Sequence, residues 1–540
     1  MHFIYFYLIS ISILGYGFLI NKKCDINSKN FGIIGFIGIF FLILTSYISS
    51  LFLAHDKTFN LIILIVGLIL SLYHLRNFKK FKTDLIYFFS VFSILFIFIL
   101  VGKNHDDFAY YHFPYIHLLT QDSHPFGLGL LNNGFRNQSS IFFLNSLFYL
   151  PKIDIYFYHT GAVFFLGFTN LFLIKNIFNQ NIFKEFKFYN LINLFFLLFI
   201  NIFFCRLSEY GTDRLGSILI ILSFIILLLV VNKNSKSSQS NSELIKFLLI
   251  IGVIAISMKS FYLIYFSLLF FFIYYSHLEN FFFKFFKSKL FIFIFVFIFF
   301  SFFFNFINSS CIIFPAKFTC YEKVSWSILK SEVESIKIWY ELWAKGGATP
   351  NFVVENRIDY INNFNWIRNW LDVYFFNKMS DYLLSITLLA LIFYLTFYSK
   401  KKINFKKRKY YIILFFLILY FVEWFLFHPS LRYGGYHLFI LLISIPLIMK
   451  IEKFKITWDL FKKKAIIFIM ISIIIFLGRN ILRLNKEYNV YNYDIFNNMN
   501  YKFIGGDKDF HFRYEKFINE KNFNHKYIFF LGKKILVIKN

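Results

Sequence analysis

The densest run of ionisable residues reads His105-Asp106-Asp107-Phe108-Ala109-Tyr110-Tyr111-His112-Phe113-Pro114 and follows directly on an apolar stretch. Two adjacent carboxylates at the mouth of a membrane span repel each other in a low dielectric, which raises the proton affinity of at least one. Such a carboxylate suits a general base acting on a hydroxyl, while its neighbour holds a cation or orients the acceptor. A solvated turn with two ordinary aspartates is the plain alternative. His105 and His112 fall on one face if the segment is helical. With Asp106 or Asp107 they could hold a divalent metal; histidines packed among aromatics are the commoner arrangement. His117 and His124 follow close behind.

Three further clusters carry charge beside apolar runs. Arg206-Leu-Ser-Glu209-Tyr-Gly-Thr212-Asp213-Arg214-Leu215 opens a span. Asp213 complements the dipole of the helix it starts, and Arg206 and Arg214 could grip a phosphate or simply anchor at the interface. Lys259 lies between two short spans, where it needs a counter-charge or a route to water. His428-Pro-Ser-Leu-Arg432-Tyr-Gly-Gly-Tyr436 places Arg432 in a short turn, with Glu423 shortly before it near the end of an apolar run. An acid so placed reads as cavity-facing.

These clusters are set in a chain of 540 residues, 58% hydrophobic and 16% charged, with mean hydropathy +0.60. So much apolar surface excludes an ordinary soluble enzyme, a disordered protein and a disulfide-rich secreted scaffold. The 86 Phe and 36 Tyr accompany abundant Ile, Lys and Asn, as an AT-rich coding bias produces, and carry no functional meaning. The net charge of +28 comes from Lys and Arg in short clusters between apolar runs, a membrane pattern rather than a nucleic-acid stripe.

Apolar runs predict an all-α polytopic membrane protein with fourteen spans, near 2–20, 31–53, 59–75, 84–102, 154–174, 188–204, 215–232, 244–258, 260–276, 290–308, 382–398, 410–428, 437–450 and 465–477. Lysines crowd alternate loops, among them Lys22 and Lys23, Lys79 and Lys80, Lys184 and Lys187, and Lys400 to Lys402. Those loops are expected to face the cytoplasm, and both termini the other side. The first run has no basic n-region or cleavage site and reads as a span.

Four regions then face outward: 103–153, 205–214, 309–381 and the tail 478–540. Within the first, 141–150 reads as an interfacial helix ended by Pro151. The charge-balanced loop 309–381 reads as a folded cap. It holds Cys311 and Cys320, either disulfide-bonded or two separate thiols. The tail is expected to carry a β-hairpin around Gly532-Lys533-Lys534, and 233–243 to be a flexible linker.

In this order and on this side, His105-Asp106-Asp107, then Thr212-Asp213-Arg214-Leu215, then Lys259-Ser260 resemble the GT-C superfamily of membrane glycosyltransferases, in particular the protein-mannosyltransferase and aminoarabinose-transferase type. The resemblance covers about residues 84–308, with 103–153 as its catalytic outer loop. Residues 1–83 would be added N-terminal helices, 382–477 a C-terminal helical region and 478–540 an extramembrane tail. The acidic loop follows the fourth span rather than the first, and Lys-Ser replaces the family's Lys-Gly. Region 309–381, with its cysteines, Phe314-Pro315 and several Trp, looks more like an uncharacterised family of bacterial multi-spanning proteins.

The resemblance implies a polyprenyl-phosphate-linked sugar as donor and a glycan, lipid or protein acceptor at the periplasmic face of a bacterial inner membrane. Asp106 or Asp107 would be the base. His105, Tyr111, His112, Arg206, Glu209, Asp213, Arg214, Lys259 and Arg432 would line the substrate site. A flippase of lipid-linked saccharide is the competing expectation, but it calls for charges along the middle of the spans. An O-antigen polymerase or ligase would depend on Arg and His in large outer loops. A non-catalytic structural membrane protein would not need the acidic pair.

Overall fold

The computed structural model of the chain describes residues 1–76, 78–101, 107–207, 212–232, 238–268, 284–349, 352–398, 408–451, 456–495, 527–530 and 533–536. Among them ten helices are long and apolar enough to cross a bilayer: His2–Lys23, Phe31–Ser50, Lys57–Leu75, Phe81–Leu100, Thr212–Val230, Lys289–Ser309, Ile367–Phe397, Tyr410–Phe427, Leu431–Ile451 and Trp458–Val490. Two shorter apolar helices, Gly161–Ile177 and Lys187–Phe203, and the helix Ser238–Met258 pack among them. The chain is an all-α multi-pass membrane protein.

Ten of the fourteen expected spans fall on those ten helices. The runs at 154–174 and 188–204 fall on the two shorter ones, and 244–258 lies inside Ser238–Met258. The run at 260–276 starts as a tight turn, Ser260–Tyr265, and continues beyond residue 268, outside the described residues. The expected linker 233–243 is outside them as far as 237, and a helix begins at Ser238.

Three spans are longer than apolarity alone indicates. The element over the run at 437–450 begins at Leu431, with a kinked turn, Leu431–Gly435, that carries Arg432 and the Gly434-Gly435 pair ahead of the regular helix from Tyr436. Lys462 to Lys464 and Arg479 flank 465–477, yet one helix runs over Trp458–Tyr491. The span expected at 382–398 begins at Ile367, so the cap ends earlier than 381.

One hydrophobic core runs from Phe6 to Phe476. The helix Phe31–Ser50 packs against Gly161–Ile177, Ser238–Met258 and Lys289–Ser309, with Phe40 stacked on Phe297 at 4.7 Å. Polar contacts add specificity inside the bundle, where apolar burial distinguishes poorly between lipid and protein. Asn170 and Asn201 exchange side-chain hydrogen bonds, and Asn190 donates to the carbonyls of Asn176, Ile177 and Asn179.

Helices of some twenty residues separate the two ends of the bundle by roughly 30 Å. At one end the lysine-rich loops meet: Lys246 donates to the carbonyls of Cys24 and Asp25, and Lys187 to that of Ile456. The other end carries the polar segments and the cap. The run expected as an interfacial helix at 141–150 is the short helix Ser140–Ser146, and it is not at the surface: all seven residues are buried, packed against the helices Phe31–Ser50, Gly161–Ile177 and Ser238–Met258. Asn145 Oδ1 accepts from the Gly161 amide, and His55 Nδ1 lies 2.7 Å from Ser146 Oγ.

The cap starts where Lys289–Ser309 ends. A Cys311–Cys320 disulfide closes its first loop, over a small core of Cys311, Phe314, Cys320, Ile328 and Val333. The cap helix Lys330–Lys345 follows. It is tied to the loop after residue 107 by Arg136 Nη2 to Glu332 Oε1 at 2.8 Å and by Asn137 Nδ2 to Tyr340 Oη at 3.1 Å. In the tail, strands Tyr527–Phe530 and Lys533–Leu536 pair antiparallel, with Phe530 opposite Lys533. Lys533 and Lys534, expected in the turn, lie in the second strand.

Candidate functional site

Each of the four polar segments contributes one side chain to a single cluster. Asp107 stands at the start of the π-helical turn Phe108–His112. Asp213 lies in the first turn of the helix Thr212–Asn232, where the dipole favours an acid. Lys259 follows the helix Ser238–Met258 in extended conformation. Arg432 lies in the turn Leu431–Gly435. Arg432 Nη2 bonds Asp107 Oδ2, Arg432 Nε donates to Asp213 Oδ2 at 2.7 Å, and Lys259 Nζ bonds Asp213 Oδ1. Two acids and two bases thus form one chain of contacts, Asp107–Arg432–Asp213–Lys259.

The backbone around each member is held by neighbours. Tyr262 Oη donates to the Asp213 carbonyl at 2.8 Å. Its ring occupies the space that any side chain at Gly216 would need: a Cβ there would sit 2.1 Å from the ring. Ser217 Oγ donates to the same carbonyl and meets His437 Nδ1 at 3.1 Å.

The Arg432 turn is clamped from two helices. Trp370 Nε1 donates to the Pro429 carbonyl, Trp424 Nε1 to the Ser430 carbonyl, and the Leu431 amide to Tyr374 Oη. Gly434 takes a φ of +97°, a left-handed conformation open to glycine at little cost, which lets the chain double back into the next helix.

Aromatic faces surround the cations. The Arg432 guanidinium lies 5.8 Å from the Trp343 ring centre, and Lys259 Nζ lies 5.3 Å from that of Tyr433. Trp343 comes from the cap helix and meets Tyr433 edge-on, so the cap forms one wall of the site. The side chains of Lys259 and Arg432 nevertheless remain 28% and 34% exposed. A ligand approaching this end of the bundle can therefore reach both.

Tyr111 faces the same charges. Burial first, then the neighbouring Asp107 carboxylate, holds its phenol well above the ordinary value, so it remains a proton donor. His428 lies 3.7 Å from Glu423 and is pushed down to about 4 by burial and then by Lys345, Lys337 and Lys259. Burial chiefly, with the nearby cations, keeps this imidazole neutral.

Of the residues singled out from the sequence, Asp107, Tyr111, Asp213, Lys259 and Arg432 converge. Arg214 turns the other way, over the rings of Phe204 and Tyr436 at 5.6 and 5.2 Å. Arg206 lies within electrostatic range of Arg483. His112 is buried against Tyr111 and Phe142. His117 and His124 bond Tyr158 and Tyr115. His105, Asp106 and Glu209 lie outside the described residues. Among the described residues no three His, Cys, Asp or Glu side chains gather as a metal site. Trp343, Tyr433 and Tyr262 went unnoticed in the sequence, because one aromatic among so many carries no signal.

One protein family matches the chain, described as a domain of unknown function, DUF8201, over residues 1–439. The chain belongs to the DUF8201 family. The match contains Asp107, Asp213, Lys259 and Arg432 and begins with the first three helices. It ends before the long helix Trp458–Tyr491 and the tail of this DUF8201 chain. No curated protein and no solved structure matches it.

Proposed function

We propose that this protein is a membrane glycosyltransferase. It moves a sugar from a polyprenyl-phosphate donor to a hydroxyl acceptor at the non-cytoplasmic face of a bacterial inner membrane. The observation that carries the reading is the meeting of Asp107, Asp213, Lys259 and Arg432 at one end of the bundle. A donor with its lipid in the bilayer and its phosphate at the interface needs cations at that depth and a carboxylate within reach of them.

In this reading Arg432 and Lys259 receive the donor phosphate. Charge-assisted hydrogen bonds are strongest where water is partly excluded, and the rings of Trp343 and Tyr433 supply that exclusion. Asp107 takes the proton of the acceptor hydroxyl as its oxygen attacks the anomeric carbon. The carbon–oxygen bond to phosphate breaks with inversion, and polyprenyl phosphate leaves with the bonding electrons on its oxygen. Asp213 positions both cations from beneath, and Tyr111 offers a proton-donating hydroxyl to the sugar. Asp106, beside Asp107 in sequence, is the second candidate base.

The location of the charges also distinguishes this reading from a flippase, which needs a polar path through the middle of the spans. The test is consumption of a radiolabelled polyprenyl-phosphate sugar by membranes holding the wild-type protein. Membranes with Asp107→Asn at equal expression should leave the donor intact.

A further inference from the structure

The cluster pairs two carboxylates with two cations. A phosphate arriving at Lys259 and Arg432 meets cations that already hold carboxylates, so it competes with them for the same positive charge. The two carboxylates are unequally placed. Asp213 is 8% exposed, bonds both cations and sits in the first turn of a helix. Asp107 is 23% exposed and bonds Arg432 through Nη2. The guanidinium between them belongs to a turn clamped by Trp370, Tyr374 and Trp424, so the arginine stays in place while its partner changes.

We propose that Asp107 is an exchangeable counter-ion: a phosphate ester takes its place on Arg432 Nη2, Asp213 remains, and the released Asp107 carboxylate turns to the acceptor. Only the last step rests on the glycosyltransferase reading; the exchange itself is a binding event. The device ties availability of the base to occupancy of the phosphate site. Before the donor arrives, Asp107 is engaged as an ion-pair partner and is a poor base toward water. Asp213 is the poorer candidate for this role, because it bonds both cations from a largely buried position in the first turn of its helix.

The test is calorimetric binding of farnesyl phosphate to the full-length protein in detergent, for wild type, Asp107→Asn, Asp107→Ser and Arg432→Ala. Removing the competing charge should tighten binding about tenfold in both position-107 variants, the scale of one charge-assisted hydrogen bond handed to the ligand. Arg432→Ala should weaken it by at least about tenfold. Binding to the position-107 variants that equals or falls below wild type overturns the exchange, and so does absence of binding throughout. Infrared difference spectra of the wild type need no variant: ligand addition should shift a carboxylate stretch, and an unchanged carboxylate region contradicts the proposal. Sugar transfer measured in parallel separates the two ideas. Tighter binding without transfer by wild type keeps the exchange and removes the glycosyltransferase reading. Transfer without tighter binding does the reverse.

Discussion

Arg432 Nε donates to Asp213 Oδ2 at 2.7 Å, joining residues 219 positions apart. The contact ties the start of the helix Thr212–Asn232 to the turn before the helix Tyr436–Ile451, and these helices also pack against each other. Helix packing therefore brings the two charges together, and the clamp on the Arg432 turn aims one of them at the other.

Asp213 should be the member whose loss costs most in stability. Its replacement by Asn removes the anion that Lys259 and Arg432 share and leaves Arg432 to Asp107, a loss of about 3 kcal/mol for a largely buried ion pair broken on one side. Thermal unfolding in detergent should show it. The double variant Asp213→Asn/Lys259→Met should recover part of the loss, since it removes the stranded cation. Strict additivity of the two single changes would show that the pair is not coupled.

Gly216→Ala tests the positioning of Asp213 without touching a charge. The new methyl overlaps the Tyr262 ring and must displace it, at about 1–3 kcal/mol for overpacking. Farnesyl phosphate affinity should fall along with stability, because the moved ring no longer holds the Asp213 carbonyl. Tyr262→Ala in the same background should relieve the overlap.

The Cys311–Cys320 bond closes a loop of nine residues' separation at the root of the cap. Its removal should destabilise the cap locally by roughly 3 kcal/mol. Limited proteolysis should then cut within 321–349 faster after reduction, and faster in Cys311→Ser/Cys320→Ser, while the membrane helices resist. Equal cutting rates would place the stability of the cap in the Arg136–Glu332 and Asn137–Tyr340 contacts instead.

Acid should destabilise the protein in a defined window. Burial pushes His55 and His124 down to about 3, and His428 to about 4, all below the ordinary 6.5. Between those values the unfolded chain binds protons that the folded chain refuses. The stability from neutral histidines is therefore complete above about pH 6.5 and is lost as pH falls toward 4. Unfolding temperatures measured across this range should drop, and His124→Gln should flatten part of the slope. A flat profile in the wild type would contradict the burial of these rings.

Much of this was legible before any coordinates. Ten expected spans coincide with ten membrane-length helices because a bilayer demands long apolar runs, and that demand is written residue by residue. The polar clusters around Asp107, Asp213, Lys259 and Arg432 could be picked out because charges beside spans are costly and therefore few. What could not be read was which way each side chain turns. Asp213 and Arg214 are adjacent, yet one joins the cluster and the other lies on Phe204 and Tyr436. That choice depends on helix rotation, set by packing against partners far away in sequence. The aromatic wall was hidden for a compositional reason, since Trp343 and Tyr433 stand among a great many rings. The extension of the last helix to Tyr491 was obscured by lysines and arginines that shorten an apolar window without breaking the helix.

The central claim is that Asp107 serves as base at a phosphate site built on Arg432. The most direct measurement follows a radiolabelled polyprenyl-phosphate sugar in membranes with wild-type, Asp107→Asn or Arg432→Ala protein at matched expression. The account predicts that the wild type consumes the donor and releases polyprenyl phosphate, that Asp107→Asn binds the donor but leaves it unspent, and that Arg432→Ala fails to bind it. Equal donor consumption by wild type and Asp107→Asn, or movement of intact lipid-linked sugar across the membrane with no consumption at all, would contradict it.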